Sequence, residues 1–79
     1  MMPGLVIQLA EQLRAAHAVA PDSRKVASIH LFGIANAEAL SGVNKYDIAE
    51  QAGLSRSYGA ELHKAVVLSE YVEIIRPLA

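Results

Sequence analysis

The histidines are the residues of this sequence best suited to bind a metal ion or to transfer a proton. His17, His30 and His63 fall in three different predicted helices. No two of them have the i, i+4 spacing with which one helix binds zinc, and no cluster of carboxylates accompanies them. We therefore expect no metal site and no cofactor. His30 fits a hydrogen-bonded position in the core or at an interface.

Serine and glutamate side chains are the other groups with catalytic potential, and their sequence context argues against catalysis. Ser57 and His63 do not occur in the strand-to-helix turn of a nucleophile elbow. The sequence contains no Cys, and it has no glycine-rich loop of the kind that binds a nucleotide phosphate. Glu70 and Glu73 are expected to lie on a solvated strand face rather than to form a catalytic pair. We expect a protein that is not an enzyme and has no small-molecule substrate.

The composition limits the size of the protein and indicates a partner. A chain of 79 residues is long enough for a single small domain, residues 1–79, with a modest core. Hydrophobic residues make up 53% of the chain and the mean hydropathy is +0.28, both high for a domain with so much surface. We expect part of the apolar surface to contact a partner, most simply a second copy of the chain.

Net charge and the N-terminal sequence bear on partners and location. Seven basic and eight acidic residues give a net charge of −1, which argues against nucleic-acid binding, although charge on one face matters more than the total. The segment before Pro21 contains several polar residues and lacks a basic start, so it does not fit a signal peptide. No apolar run has the length of a membrane span. We expect a cytoplasmic protein without membrane contact.

Hydrophobic spacing predicts an all-α bundle of three or four helices with a short C-terminal strand. The first helix covers residues 3–19, and its apolar stripe either covers the second helix alone or also contributes to a dimer interface. The second helix, residues 23–40, is apolar around most of its circumference and should be central. Helices at residues 45–52 and 55–68 follow. β-Branched and aromatic residues in 70–78 predict the strand, which could pair with its twin in a dimer.

The sequence "DIAEQAGLS", residues 47–55, ends one predicted helix and begins the next within a few residues. Gly53 is expected to end the first helix, because a residue with a positive φ commonly follows the last helical turn and glycine adopts it without strain. Leu54 is expected to enter the core, and Ser55 to cap the second helix. Ala49 is small where the two helices approach each other. Two helices joined by so short a turn cross steeply, which is the geometry of a helix-turn-helix whose second helix can enter a DNA major groove.

The segment "IAEQAGLS", residues 48–55, resembles the motif core shared by many bacterial and phage helix-turn-helix DNA-binding proteins. The motif is placed within residues 45–66. The segment "LHKAVVLSEYVEII", residues 62–75, is similar to the recognition-helix end and following strand of winged-helix regulators. Gly59 departs from the Val or Ile that is usual near the middle of the recognition helix. Either the ring of Tyr58 fills the missing volume or the two helices approach more closely.

The resemblance implies that one side of the second motif helix faces DNA. By helical spacing this side carries Ser55, Arg56, Ser57, Ala60, Glu61 and Lys64. Arg56 would donate two hydrogen bonds to a guanine edge, and Ser55 and Ser57 would donate to phosphate. Glu61 would either accept from a cytosine amino group or repel phosphate, and Lys64 would reach the DNA backbone.

The resemblance also places residues outside the second helix near the DNA. Lys45 and Tyr46, at the start of the first motif helix, would lie near a phosphate. His63 would lie either near a phosphate or on the ordinary surface.

These inferences lead to two functional hypotheses. The first is a sequence-specific transcriptional regulator from a bacterium or phage that binds double-stranded DNA as a homodimer through recognition helix 55–68. The second is a protein-interaction module, inhibitor or accessory protein that keeps the fold without binding DNA. The net charge of −1 and the position of Glu61 favour the second hypothesis.

Overall fold

The computed structural model describes residues 4–76, and this part of the chain is helical. The five α-helices are α1 (Gly4–Val19), α2 (Lys25–Ala35), α3 (Ala37–Leu40), α4 (Lys45–Gln51) and α5 (Gly59–Leu68). Two 3₁₀ turns, Asp22–Arg24 and Arg56–Tyr58, precede α2 and α5. The all-α fold class is confirmed for the described residues. Within them, none of the helices combines the length and the apolar character that crossing a membrane requires.

Each of the five helices contributes one large, fully buried side chain to a common core. These side chains are Leu13, Ile29, Leu40, Ile48 and Leu62. Around them the apolar stripe of α1 packs against α2 and α4 through Val6, Leu9 and Leu13. The stripe therefore covers the core of its own chain, as expected from its spacing of three and four residues.

Two cations satisfy carbonyl groups at the C-terminal ends of neighbouring helices. Lys25 Nζ donates to the carbonyl of His17 at 2.6 Å, at the end of α1. Arg14 Nη2 and Nε donate to the carbonyls of Gln51 and Ala52 at 2.7 and 3.2 Å, at the end of α4. The last carbonyls of a helix lack partners within the helix and carry partial negative charge, so cations are favoured there. These two cations therefore stabilise the fold.

The prediction of one continuous helix over residues 23–40 is wrong. The segment begins with the 3₁₀ turn and is broken at Asn36, whose φ of −114° is outside the helical region. Both the side-chain amide and the backbone N–H of Asn36 donate to the carbonyl of Phe32, at 2.9 and 3.0 Å. The short amide side chain competes with regular helix geometry in this way, so α2 ends and the four-residue α3 begins after Asn36.

The predicted C-terminal strand is also absent from the described residues. After α5 the chain makes a turn to Tyr71, and residues 72–76 have no regular secondary structure. Their β-branched side chains favour an extended chain, but a strand also needs a neighbouring strand for its backbone hydrogen bonds. No second strand exists within residues 4–76 to provide them. Pro77, which was expected to end the strand, and Leu78 lie outside the described residues, as does Pro3.

Candidate nucleic-acid interface

The turn between α4 and α5 has the backbone conformation that the sequence predicts. Gly53 has a φ of +81° and is the one residue with a positive φ in the described range. Its N–H donates to the carbonyl of Glu50, and the N–H of Leu54 donates to the carbonyl of Ala49, both at 3.0 Å. Leu54 is partly buried and packs against the core. The turn therefore ends α4 and redirects the chain into the second helix of the motif.

We predict that Gly53→Ala lowers the free energy of unfolding by about 1 kcal/mol, because an L-residue is strained at a positive φ. Nothing lies within 4 Å of the position that the new Cβ would occupy, so the cost is conformational rather than steric. Gly42→Ala is the matched control, since its Cβ also meets nothing and its φ is not positive. Urea denaturation followed by circular dichroism measures both variants. Equal stability of the two would contradict the prediction.

Gly59, at the start of α5, lies close to the first turn of α4. A Cβ atom added at Gly59 would lie 2.5 Å from Tyr46 Cδ1 and 2.7 Å from Tyr46 Cα. Of the two alternatives for this glycine, closer approach of the helices is therefore the one observed. The ring that fills the space belongs to Tyr46, whereas Tyr58 is partly buried against the core. Close packing here fixes the direction in which the second motif helix leaves the first.

The recognition helix predicted over residues 55–68 begins with a 3₁₀ turn instead of an α-helical turn. Ser55 Oγ accepts from the backbone N–H of Ser57 at 3.3 Å, as expected of a cap. Regular α-helix starts only at Gly59. A 3₁₀ turn is tighter than an α-helical turn and often begins a helix. As a result, Arg56 and Ser57 point in directions that differ from those of an α-helix.

Arg56 is exposed and is held by residues of α4. Its Nη1 donates to Asp47 Oδ1 at 2.8 Å and to Glu50 Oε1 at 3.4 Å, and its guanidinium lies 5.8 Å from the centre of the Tyr46 ring. Hydrogen bonding to Asp47, together with the charges of Asp47 and Glu50, raises the pKa of Arg56. Both hydrogen bonds use Nη1, and Nη2 and Nε have no hydrogen-bond partner within residues 4–76.

Glu61 is held by two partners, one on α2 and one on its own helix. His30 Nε2 of α2 lies 2.7 Å from Glu61 Oε1, and Lys64 Nζ lies 3.2 Å from Glu61 Oε2. Hydrogen bonds from His30 and then from Lys64 lower the pKa of Glu61. Because the pKa of Glu61 is lowered in the folded protein, its hydrogen bonds with His30 and Lys64 stabilise the fold at pH values above the ordinary carboxyl pKa. This contribution is lost as the pH falls through the lowered pKa of Glu61. His30 thus occupies a hydrogen-bonded position between two helices.

The remaining predicted contact residues are arranged around the start of α4 and the outer side of α5. Ser55, Ser57 and Lys64 are exposed, and Ala60 is partly buried. Lys45 and Tyr46 line a shallow cleft with Asn44 and His63. The cleft brings a lysine, a histidine and a tyrosine to one surface beside the motif. All predicted contact residues therefore lie on the motif or its edge.

Three carboxylates accompany the cations of this surface, and their roles were missed from sequence. Asp47 and Glu50 hold Arg56, and Glu61 holds Lys64 and His30. The only sequence signal for Asp47 is its position on the helix that precedes Gly53, six residues before that glycine. Within the described residues, no group of three His, Asp or Glu side chains is arranged to hold a metal ion.

The match to a known family covers most of the chain and not only the motif. Residues 6–75 match the family described as HTH-like domain. The protein belongs to the HTH-like domain family. The comparisons with curated proteins and with solved structures found no match. The match extends from α1 to the segment after α5, so α1–α3 and residues 72–75 belong to the family unit together with the helix-turn-helix.

Proposed function

We propose that this HTH-like domain, comprising residues 1–79, is a sequence-specific DNA-binding regulator of transcription. The observation that carries the proposal is the position of Arg56, exposed at the start of the second motif helix with both of its hydrogen bonds made by Nη1 alone. An arginine at this point of a helix-turn-helix can donate two hydrogen bonds to the O6 and N7 atoms of guanine. We further propose a cytoplasmic protein of bacterial or phage origin.

Binding would place the outer side of α5 in the major groove, with phosphate contacts on both sides of it. Ser55 and Ser57 would donate to one phosphate, and Lys64 would contact the backbone of the duplex. The lysine and tyrosine of the cleft at the start of α4 would bind a neighbouring phosphate. Arg56 is already bound by Asp47 and Glu50, so acceptor atoms of DNA have to replace these carboxylates as its partners.

We propose that the protein binds as a homodimer. One recognition helix contacts few base pairs, whereas two helices about 34 Å apart contact successive turns of the major groove and read a palindromic site. Linked binding of two half-sites raises affinity without any new contact within each half-site. The exposed apolar side chains of the chain are consistent with a second copy as partner.

The balance of charges on the motif favours a second candidate function, a protein-interaction module without DNA binding. Arg56 and Lys64 each have a carboxylate partner within their own chain. A surface with compensated charges attracts DNA only weakly, because affinity for DNA depends on uncompensated cations that displace counterions. An inhibitor or accessory subunit would use the same fold for contact with another protein.

Selection of bound duplexes from a random DNA pool at moderate salt separates the two functions. A regulator should enrich a palindromic sequence, and the logarithm of its affinity should fall with the logarithm of salt concentration by about 0.9 for each phosphate contacted. A protein-interaction module should enrich no sequence. Absence of enrichment, with the protein folded as judged by circular dichroism, would contradict the proposed function.

A further inference from the structure

An apolar groove lies between α2 and the segment that follows α5. Its apolar side chains are Leu31, Ile34, Val72, Ile74 and Ile75. Leu31 and Ile34 are only partly buried, and Val72, Ile74 and Ile75 are 48, 37 and 88% exposed. None of the five belongs to the buried core cluster. Exposed apolar side chains grouped in this way form a surface that another molecule can cover.

The backbone beside this groove also lacks partners. Within the described residues, the backbone groups of residues 73–76 form no hydrogen bond with another backbone group. A segment in this state offers N–H and C=O groups that a second chain can satisfy. A protein partner could therefore supply two kinds of contact to residues 73–76: apolar packing for the side chains and hydrogen bonds for the backbone.

The charges around the groove identify the kind of partner. Arg24 and Arg76 line it together with Glu73. Both signs of charge are thus present around one apolar surface. In a two-fold symmetric contact, each surface meets an identical surface, and it must therefore carry charges of both signs to be complementary to itself. DNA does not fit this groove, because the isoleucines would gain nothing from phosphate and the glutamate would repel it.

We infer that this groove is the surface through which two copies of the chain associate, with residues 72–76 of each copy packed against α2 of the other. The inference rests on the homodimer of the proposed function and assigns its interface. The groove takes the place of α1 as the expected dimer interface, because the apolar stripe of α1 packs in the core of its own chain. Association through the segment after α5 also leaves the outer side of the motif free in both copies.

Sedimentation equilibrium of the full chain, without DNA, tests the inference. Ile75→Glu should raise the dissociation constant of the dimer about tenfold or more, because a charge would replace an apolar side chain inside the contact. The side chain of Ile75 is 88% exposed, so circular dichroism should show an unchanged fold. Val19→Glu is the matched control, since it adds the same charge at a 72% exposed position on α1 and should leave the dissociation constant unchanged.

Three results would overturn the inference. They are a wild-type chain that is monomeric at every concentration, a dimer unaffected by Ile75→Glu, and a dimer weakened as much by Val19→Glu. Binding to one selected half-site is measured separately. If Ile75→Glu weakens the dimer but the wild-type chain binds no DNA, the interface stands and the DNA-binding function fails. If half-site binding persists in the wild type and neither substitution affects the dimer, the function stands and the interface fails.

Discussion

A variant that carries Arg56→Ala and Lys64→Ala is expected to lose affinity for the selected DNA by about a hundredfold or more. Arg56 provides the base contact of the proposed complex and Lys64 a backbone contact, and a homodimer loses each of them twice. The two side chains are 50 and 65% exposed, so their removal should leave the fold and the melting temperature nearly unchanged. Fluorescence anisotropy with a labelled duplex at fixed salt measures the loss.

Arg56→Lys is the control that separates base recognition from charge. Lysine keeps the positive charge but lacks the planar group that donates two parallel hydrogen bonds. The salt dependence of binding should persist in this variant, while discrimination between selected and random duplexes decreases. Unchanged affinity in the double alanine variant would show that this surface does not contact DNA.

Neutralising Asp47 should act in the opposite direction. Asp47→Asn removes the stronger carboxylate partner of Arg56, so the guanidinium becomes available to phosphate and base acceptors. We expect affinity for random duplexes to rise more than affinity for the selected duplex, because the released charge attracts any DNA. Glu11→Gln on α1 removes one negative charge at an exposed site outside the motif. An equal effect of the two substitutions would show that only net charge matters.

The helix-turn-helix is predictable from sequence because its determinants are local. Gly53, Leu54 and Ser55 are neighbours in the chain, and each has a requirement that follows from its residue type: a positive φ, an apolar contact and a cap. The break at Asn36 is also local, but it was missed. An asparagine inside an apolar helical pattern is compatible with a continuous helix until its amide is seen to bond the carbonyl of Phe32.

Interactions between distant parts of the chain could not be predicted. The pair His30–Glu61 joins residues 31 positions apart, and Arg14 reaches a carbonyl 37 positions away. Their partners are determined by how the helices pack, which hydrophobic spacing alone does not specify. The prediction of a C-terminal strand was wrong for a related reason. A strand needs a neighbouring strand, and residues 4–76 contain none.

Gly59→Val is expected to lower the free energy of unfolding by about 3 kcal/mol or more. The new Cβ would lie 2.7 Å from the α-carbon of Tyr46, and a backbone atom cannot move aside unless α4 shifts as a whole. A domain of this size has a total stability of about 4–12 kcal/mol, so the variant should be partly unfolded or melt well below the wild type. Thermal and urea denaturation measure the change, with Gly42→Val as control because its Cβ meets nothing within 4 Å.

A second substitution separates the steric effect of the Tyr46 ring from that of the Tyr46 backbone at this crossing. Tyr46→Ala removes the ring atoms that lie 2.5 and 2.6 Å from the added Cβ, but the backbone of residue 46 stays where it is. Combined with Gly59→Val, it should therefore restore only part of the lost stability. Full restoration would mean that the ring alone prevents a larger residue. Partial restoration would mean that the backbone of α4, and not the ring alone, requires the absence of a side chain at Gly59.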